Sequence, residues 1–150
     1  MKKIVQKIVL GGVIVNKEGK ILILQRSPEE EIFPNMWELP SGKREPLENS
    51  EKCLLREIKE ETGLEVKIIM PFSVFDYQIQ KKDEVRDTTQ INFLLKTNGN
   101  KIVKLSSEHQ NFTWISKKEI NRYKLSEKTK KVILKAFKLI DLIEKSNAKT

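Results

Sequence analysis

The residues best equipped for chemistry stand together in Arg56-Glu57-Ile58-Lys59-Glu60-Glu61. On an α-helix each residue advances about 100°. With Glu57 at the origin, Glu60 and Glu61 fall to either side of it, and the three carboxylates share an arc of roughly 100°. Leu54, Leu55 and Ile58 occupy an arc about a quarter-turn away. The helix would thus carry an apolar stripe to seat it and an acidic stripe along its edge. Like charges at this spacing repel, and the penalty grows in a cleft unless a cation relieves it. All-oxygen ligands suit a hard ion, so magnesium is the expected cofactor, with manganese as the alternative. A solvated helix face with Arg56 and Lys59 as partners is the competing reading of the triplet taken alone.

Other elements must position this helix. Asn49 or Ser50 would cap its start and Gly63 would end it. Upstream, Ile8 to Val15 and Ile21 to Leu24 are apolar runs around the turn signal Asn16-Lys17-Glu18-Gly19, which predicts a β-hairpin. Ser27 to Asn35 is a loop, Trp37-Glu38-Leu39 a short strand, and Ser41 to Asn49 a second loop. Downstream, Leu64 to Gln80 is strand-like with an interruption at Met70-Pro71. Lys81 to Asp87 is a charged turn, Thr88 to Lys96 another strand, and Asn98-Gly99-Asn100 a turn. Phe112 to Ile115 is the last strand. Ser116 opens a short helix, and Ser126 to about Lys145 is a long one with Val132, Ile133, Phe137, Ile140 and Ile143 on its apolar face. Ser146 to Thr150 is expected to fray. The order implies one α/β domain over 1–150, with a mixed β-sheet sandwiched between helices.

The 150 residues are 38% hydrophobic and 33% charged, a composition that excludes a disordered chain. One cysteine, Cys53, rules out an internal disulfide and suits a reducing cytoplasm. No segment has the length or pattern of a membrane span or signal peptide. The net charge of +8 fits attraction to a polyanion, or simply a lysine-rich surface; the lysines are densest from Lys117 to Lys149.

Reading outward from the triplet, Gly42 is followed by five residues and Glu48, then seven residues and Arg56-Glu57, then Ile58, Lys59, Glu60-Glu61, Thr62, Gly63 and Leu64. This resembles the Nudix box at every defined position. Trp37-Glu38-Leu39-Pro40 ahead of Gly42-Lys43 looks like the strand leading into the box in MutT-like members. The sequence departs from the common pattern at Ser41 and Leu47, where many members have glycine. Both positions lie in the loop.

The resemblance implies a Nudix fold and a hydrolase that cuts a phosphoanhydride bond in a nucleoside diphosphate derivative. It implies metal binding by Glu57, Glu60 and Glu61, with the Gly42 carbonyl contributing. Glu57 or Glu61 would help activate water, Arg56 would orient a glutamate, and Glu48 would support. Glu108, six residues before Trp114, resembles a further metal ligand of MutT-like proteins, and Glu84 is its rival. Arg26 and Lys43 would screen substrate charge. Cys53 is expected to pack, not to react. His109, the only histidine, is expected at the surface, with substrate contact or base catalysis as the other reading. The MutT-like character favours a nucleoside triphosphate as substrate. ADP-ribose, dinucleoside polyphosphates and RNA 5′ ends stay open, and so does a non-catalytic nucleotide-sensing module. Other nucleic acid is disfavoured, a membrane partner is not expected, and a homodimer is left open. Phe33, Phe75, Tyr77 and Phe112 are candidates to stack on a base or to fill the core.

Overall fold

In the computed structural model, residues 1–99 and 102–148 are described. Among the described residues seven strands form one mixed sheet: β1 (Lys3–Val15), β2 (Ile21–Arg26), β3 (Trp37–Glu38), β4 (Ser41–Lys43), β5 (Val66–Gln80), β6 (Glu84–Thr97) and β7 (His109–Ile115). Helix α1 is Ser50–Thr62 and helix α2 is Glu127–Ala148, with a 3-10 turn over Lys117–Arg122.

The hairpin expected at the N-terminus survives only at its base, where Val15 pairs with Ile21. Edge occupancy explains why. β6 runs parallel to β1 along its whole length, filling one edge, and β7 fills one edge of β2 from Ile21 to Arg26. The two remaining edges splay apart, and the short segment 37–43 wedges between them. β3 pairs with β2 through Leu24 and Gln25, while β4 pairs with β1 through Val9, Leu10 and Gly11. The loop predicted from Ser41 therefore opens with a strand. Its backbone groups find partners in the gap, as Gly12 N does on Pro40 O at 2.8 Å.

Strand alternation then divides the core. Leu10, Ile14, Leu22, Leu24, Phe93 and Leu95 meet Cys53, Leu54 and Ile58 of α1 on one face. Val13, Ile21, Ile23, Leu94 and Ile115 meet Val132, Ile133 and Ala136 of α2 on the other. The predicted apolar faces of both helices hold, except that Leu55 is exposed and Cys53 takes its place in the core. Helices thus cover both faces of the sheet, as the α/β reading requires.

The interruption at Met70-Pro71 is realised as register shifts between Ile68 and Met70 and between Pro71 and Ser73, which let one continuous strand carry a proline. The predicted charged turn shrinks, because Glu84 to Asp87 already pair with β1. The Asn98-Gly99-Asn100 turn lies partly outside the described residues. Of the predicted frayed end, Ser146 to Ala148 is helical and 149–150 lies outside them. No helix among the described residues is long and apolar enough to cross a membrane.

Candidate active site

Helix α1 begins where the Asn49 side chain accepts a hydrogen bond from Lys52 N at 3.0 Å. It stops at Gly63, whose φ of 72° is the left-handed conformation that glycine adopts without steric cost. Between these caps Leu54 and Ile58 bury against the sheet. That seating rotates the acidic stripe toward the wedge between β1 and β2.

The three box glutamates share an arc but not an environment. Glu61 is only 7% exposed. Its Oε2 accepts a hydrogen bond from the Ser41 backbone N–H at 3.1 Å. Burial, with the Glu38, Glu108 and Glu57 charges adding to it, pushes the Glu61 carboxyl up to about 9 against the Ser41 hydrogen bond. Burial also raises Glu57, opposed by Arg56 and reinforced by the Glu60 and Glu108 charges. Glu60 is the most open of the three, at 57% side-chain exposure.

Arg56 gathers the acids around it. Its guanidinium lies 2.9 Å from Glu48 Oε2, 3.1 Å from Glu57 Oε1 and 3.2 Å from Glu60 Oε1. Hydrogen bonds from the Glu45 backbone and from Arg56 hold the Glu48 carboxyl below its usual range. Gly42 sits directly against Glu57. A Cβ there would fall 2.1 Å from Glu57 Cγ, so only glycine lets this backbone approach the acid.

Glu108 and Glu84 part company. The Glu108 charge acts on both Glu57 and Glu61. Glu84 lies at the start of β6 opposite Lys3, seven residues along the strand from the Ile91–Leu10–Gly42 level, or about 23 Å. It faces Arg86, not the acid cluster.

Arg26 is committed within the protein. Its Nε donates to Ile32 O at 2.9 Å, and its other nitrogens reach Glu30 and Glu38 at 3.3 Å. It clamps the Ser27–Met36 loop beside the site. Lys43 follows Gly42 on β4, so alternation turns it to the opposite sheet face, among the charges of Arg86, Lys7 and Lys81. His109 is not at the surface: its side chain is 2% exposed, and Nε2 lies 2.8 Å from Glu38 Oε2. The bulge between Gln25 and Arg26 sets the register that places it there. Phe33 is exposed, while Phe75 and Phe112 pack against the core. Cys53 is buried, and burial pushes its thiol up to about 11.

Glu38 was overlooked among the sequence candidates. It pairs with Arg26, contacts His109, and its charge is felt by Glu61. The signal for it was an acid between Trp37 and Leu39 in a strand otherwise turned into the core. A surface hollow of about 600 Å³ lies elsewhere, beside Leu55, Val66 and Ile68, and includes none of these carboxylates.

Among the described residues, no three carboxylate, imidazole or thiol groups converge into a closed metal cage. Arg56 draws Glu48, Glu57 and Glu60 to itself instead. The donor set still fits a hard divalent ion. It is all oxygen, one member is a buried carboxyl whose ionisation a nearby cation would restore, and it is open on the solvent side, leaving room for water and phosphate oxygens.

The family model for the NUDIX domain matches residues 6–137. A nucleoside triphosphatase NudI from Enterobacter is 29% identical over 124 residues, covering 78% of this chain and 87% of that protein. The crystal structure of a MutT protein from Methanosarcina mazei superposes with a TM-score of 0.64 at 26% identity, covering 96% of this chain and 97% of that one. An Ap4A hydrolase from C. elegans, solved as a binary complex, gives 0.70 at 25% identity over 89% and 96%. With a family match over most of its length and the box acids gathered on α1, the chain belongs to the NUDIX domain family and is a MutT-like Nudix hydrolase.

Proposed function

We propose that this chain is a magnesium-dependent pyrophosphohydrolase acting on nucleoside triphosphates, working as one domain in the cytoplasm. The observation that carries this is the buried Glu61 carboxyl, held by Ser41 N–H and surrounded by the charges of Glu57, Glu38 and Glu108. A protein does not keep several acids around a desolvated carboxyl for stability; it does so where a cation and a polyanionic substrate meet. The NudI relative, named a nucleoside triphosphatase, supports the substrate class.

Glu57, Glu60 and Glu61 would hold the metal, with the Gly42 carbonyl and Glu108 completing the set. Bound magnesium (or manganese) supplies charge neutralisation of the phosphates and a lower pKa for attacking water. The chain's residues do the positioning. Arg56 restrains Glu57 and Glu60, and Glu48 restrains Arg56. A glutamate of α1, Glu57 or Glu61, takes the proton of the attacking water, and the anhydride bond breaks to a nucleotide and a phosphate product. Arg26 is assigned to holding the loop beside the site, while Lys43, on the opposite sheet face, is assigned no contact with the α1 carboxylates.

The test is turnover of a nucleotide panel with and without magnesium, using wild type and Glu60→Gln. Glu60 is exposed, so its replacement leaves the fold intact. Turnover that requires the metal and falls about 100-fold or more in the variant is the expected result. Full activity in Glu60→Gln overturns the site. Nucleotide binding without turnover in the wild type moves the reading to a sensing module.

A further inference from the structure

The turn from Ser106 to His109 brings Glu108 close enough for its charge to act on Glu57 and Glu61. Backbone bonds fasten that turn on two sides. Ser106 N donates to Glu61 O at 3.3 Å, and His109 N closes the turn on Ser106 O at 3.3 Å. Ser27 N donates to Glu108 O at 2.9 Å. Just beyond the turn, Gln110 Nε2 donates to Arg26 O at 2.8 Å and to Asn35 Oδ1 at 2.7 Å. These bonds reach α1 and the Ser27–Met36 loop, but none reaches β3. Among the described residues, the turn meets β3 through one side chain, with His109 Nε2 lying 2.8 Å from Glu38 Oε2.

Packing does not account for a histidine at this place. Its Nδ1 is buried without a partner, as is Ser106 Oγ in the same turn. A buried polar atom left unpaired costs stability, and an apolar side chain of similar size would fill the space without that cost. What an apolar side chain lacks is the hydrogen bond from Nε2 to Glu38. The β7 register serves that bond. The bulge between Gln25 and Arg26 leaves Gln110 unopposed and sets His109 across from Arg26. Glu38 Oε2 also takes Arg26 Nη1 at 3.3 Å. Arg26, Glu38 and His109 thus link β2, β3 and β7. Three residues beyond Glu38 stands Ser41, whose N–H holds Glu61.

The Glu108 side chain is exposed and makes no hydrogen bond among the described residues, so the backbone of its turn sets its direction. We propose that His109 is a positioning residue of the carboxylate site: through Nε2 and Glu38 it locks the turn presenting Glu108 to the segment presenting Ser41 to Glu61. Glu108 and Glu61 then face a divalent ion as a pre-set pair. The imidazole itself touches neither the ion nor the substrate. Groups that orient metal-binding side chains from behind are worth about 10- to 100-fold in metal affinity. The inference rests on the hydrolytic reading for what the site does, but its effect is measured on metal binding without turnover.

The experiment titrates manganese ions into the full chain without nucleotide, counting the unbound ion by electron paramagnetic resonance. Wild type is compared with His109→Leu, which keeps the bulk and loses the donor, and with His109→Gln, which keeps an amide N–H near the position of Nε2. His109→Leu should bind manganese about tenfold more weakly or worse, and His109→Gln within about threefold of wild type. In a Glu108→Gln background, His109→Leu should add less than about twofold, because its effect passes through Glu108. If His109→Leu fails to fold, His109→Asn takes its place, being polar but a methylene shorter than glutamine, with the same loss expected. Wild-type affinity in the leucine variant overturns the proposal, as do equal losses in the leucine and glutamine variants. Full additivity with Glu108→Gln also overturns it, and so does absence of wild-type manganese binding at millimolar ion. The expected pattern of affinities with no turnover of any nucleotide leaves the positioning role standing and removes the hydrolase reading. Metal-dependent turnover with an unaffected leucine variant does the reverse.

Discussion

Burial holds the Glu61 carboxyl at about 9, far above its ordinary 4.5, so the metal-free protein keeps a proton there at neutral pH. Because the folded value lies above the unfolded one, the protonated form contributes stability that is complete below about pH 4.5. That contribution is lost as pH rises toward 9. A divalent ion needs the carboxylate, so its binding should expel about one proton per ion at pH 7.5 and tighten as pH rises. Titration calorimetry in two buffers of different ionisation heat counts that proton, and a count of zero would remove Glu61 from the metal site. Cys53 behaves oppositely from a nucleophile. Its thiol is pushed up to about 11 inside the core, so iodoacetamide at pH 8 should label the unfolded chain and leave the native protein untouched. Rapid native labelling would show the packing around Cys53 to be open.

At the scale of elements, the contact that matters is β4 against α1. β4 is three residues long, yet it brings Ser41 N to Glu61 and Gly42 against Glu57. Gly42→Ala should drive its methyl into Glu57, where the nearest atoms would lie 2.1, 2.4 and 2.7 Å away. We expect turnover to fall about 100-fold and stability by about 1–3 kcal/mol, read by kcat and by urea midpoints. Wild-type activity in this variant would mean that the close approach of β4 is not used. Conversely, Gly19→Ala has nothing within 4 Å of its new carbon and should spare activity, costing only the strain of a left-handed turn.

For the molecule as a whole, the net charge of +8 coexists with a site built of acids. Alternation sorts the two in part, with the box carboxylates on the α1 face and Lys7, Lys43 and Arg86 on the other. The surplus positive field should draw anionic substrates to the surface. Raising salt from about 0.05 to 0.5 M should therefore lower kcat/KM several-fold through KM, with kcat little changed. A salt response carried by kcat instead would place the effect at the carboxylates.

The box from Gly42 to Leu64, the helix between Asn49 and Gly63, and the apolar faces of both helices were legible in the sequence. They are written in local spacing: a 3.6-residue period, a capping side chain, a glycine that can turn left. Most strand positions were legible for the same reason. Only the tertiary structure decided which strands pair. β1 prefers β6, whose residues pair with it at a separation of 81 (Lys3 with Glu84, Val15 with Lys96), over its neighbour β2, because edge occupancy is a property of the whole sheet and leaves no periodic mark. The same wedge decided which acids meet. It brought Glu38 and His109 into the site, left Glu84 about 23 Å away along β6, and turned Lys43 to the far face. Sequence determined which side chains were available to hold a cation; the splayed sheet decided which of them were desolvated together, and desolvation is what gives Glu61 its chemistry.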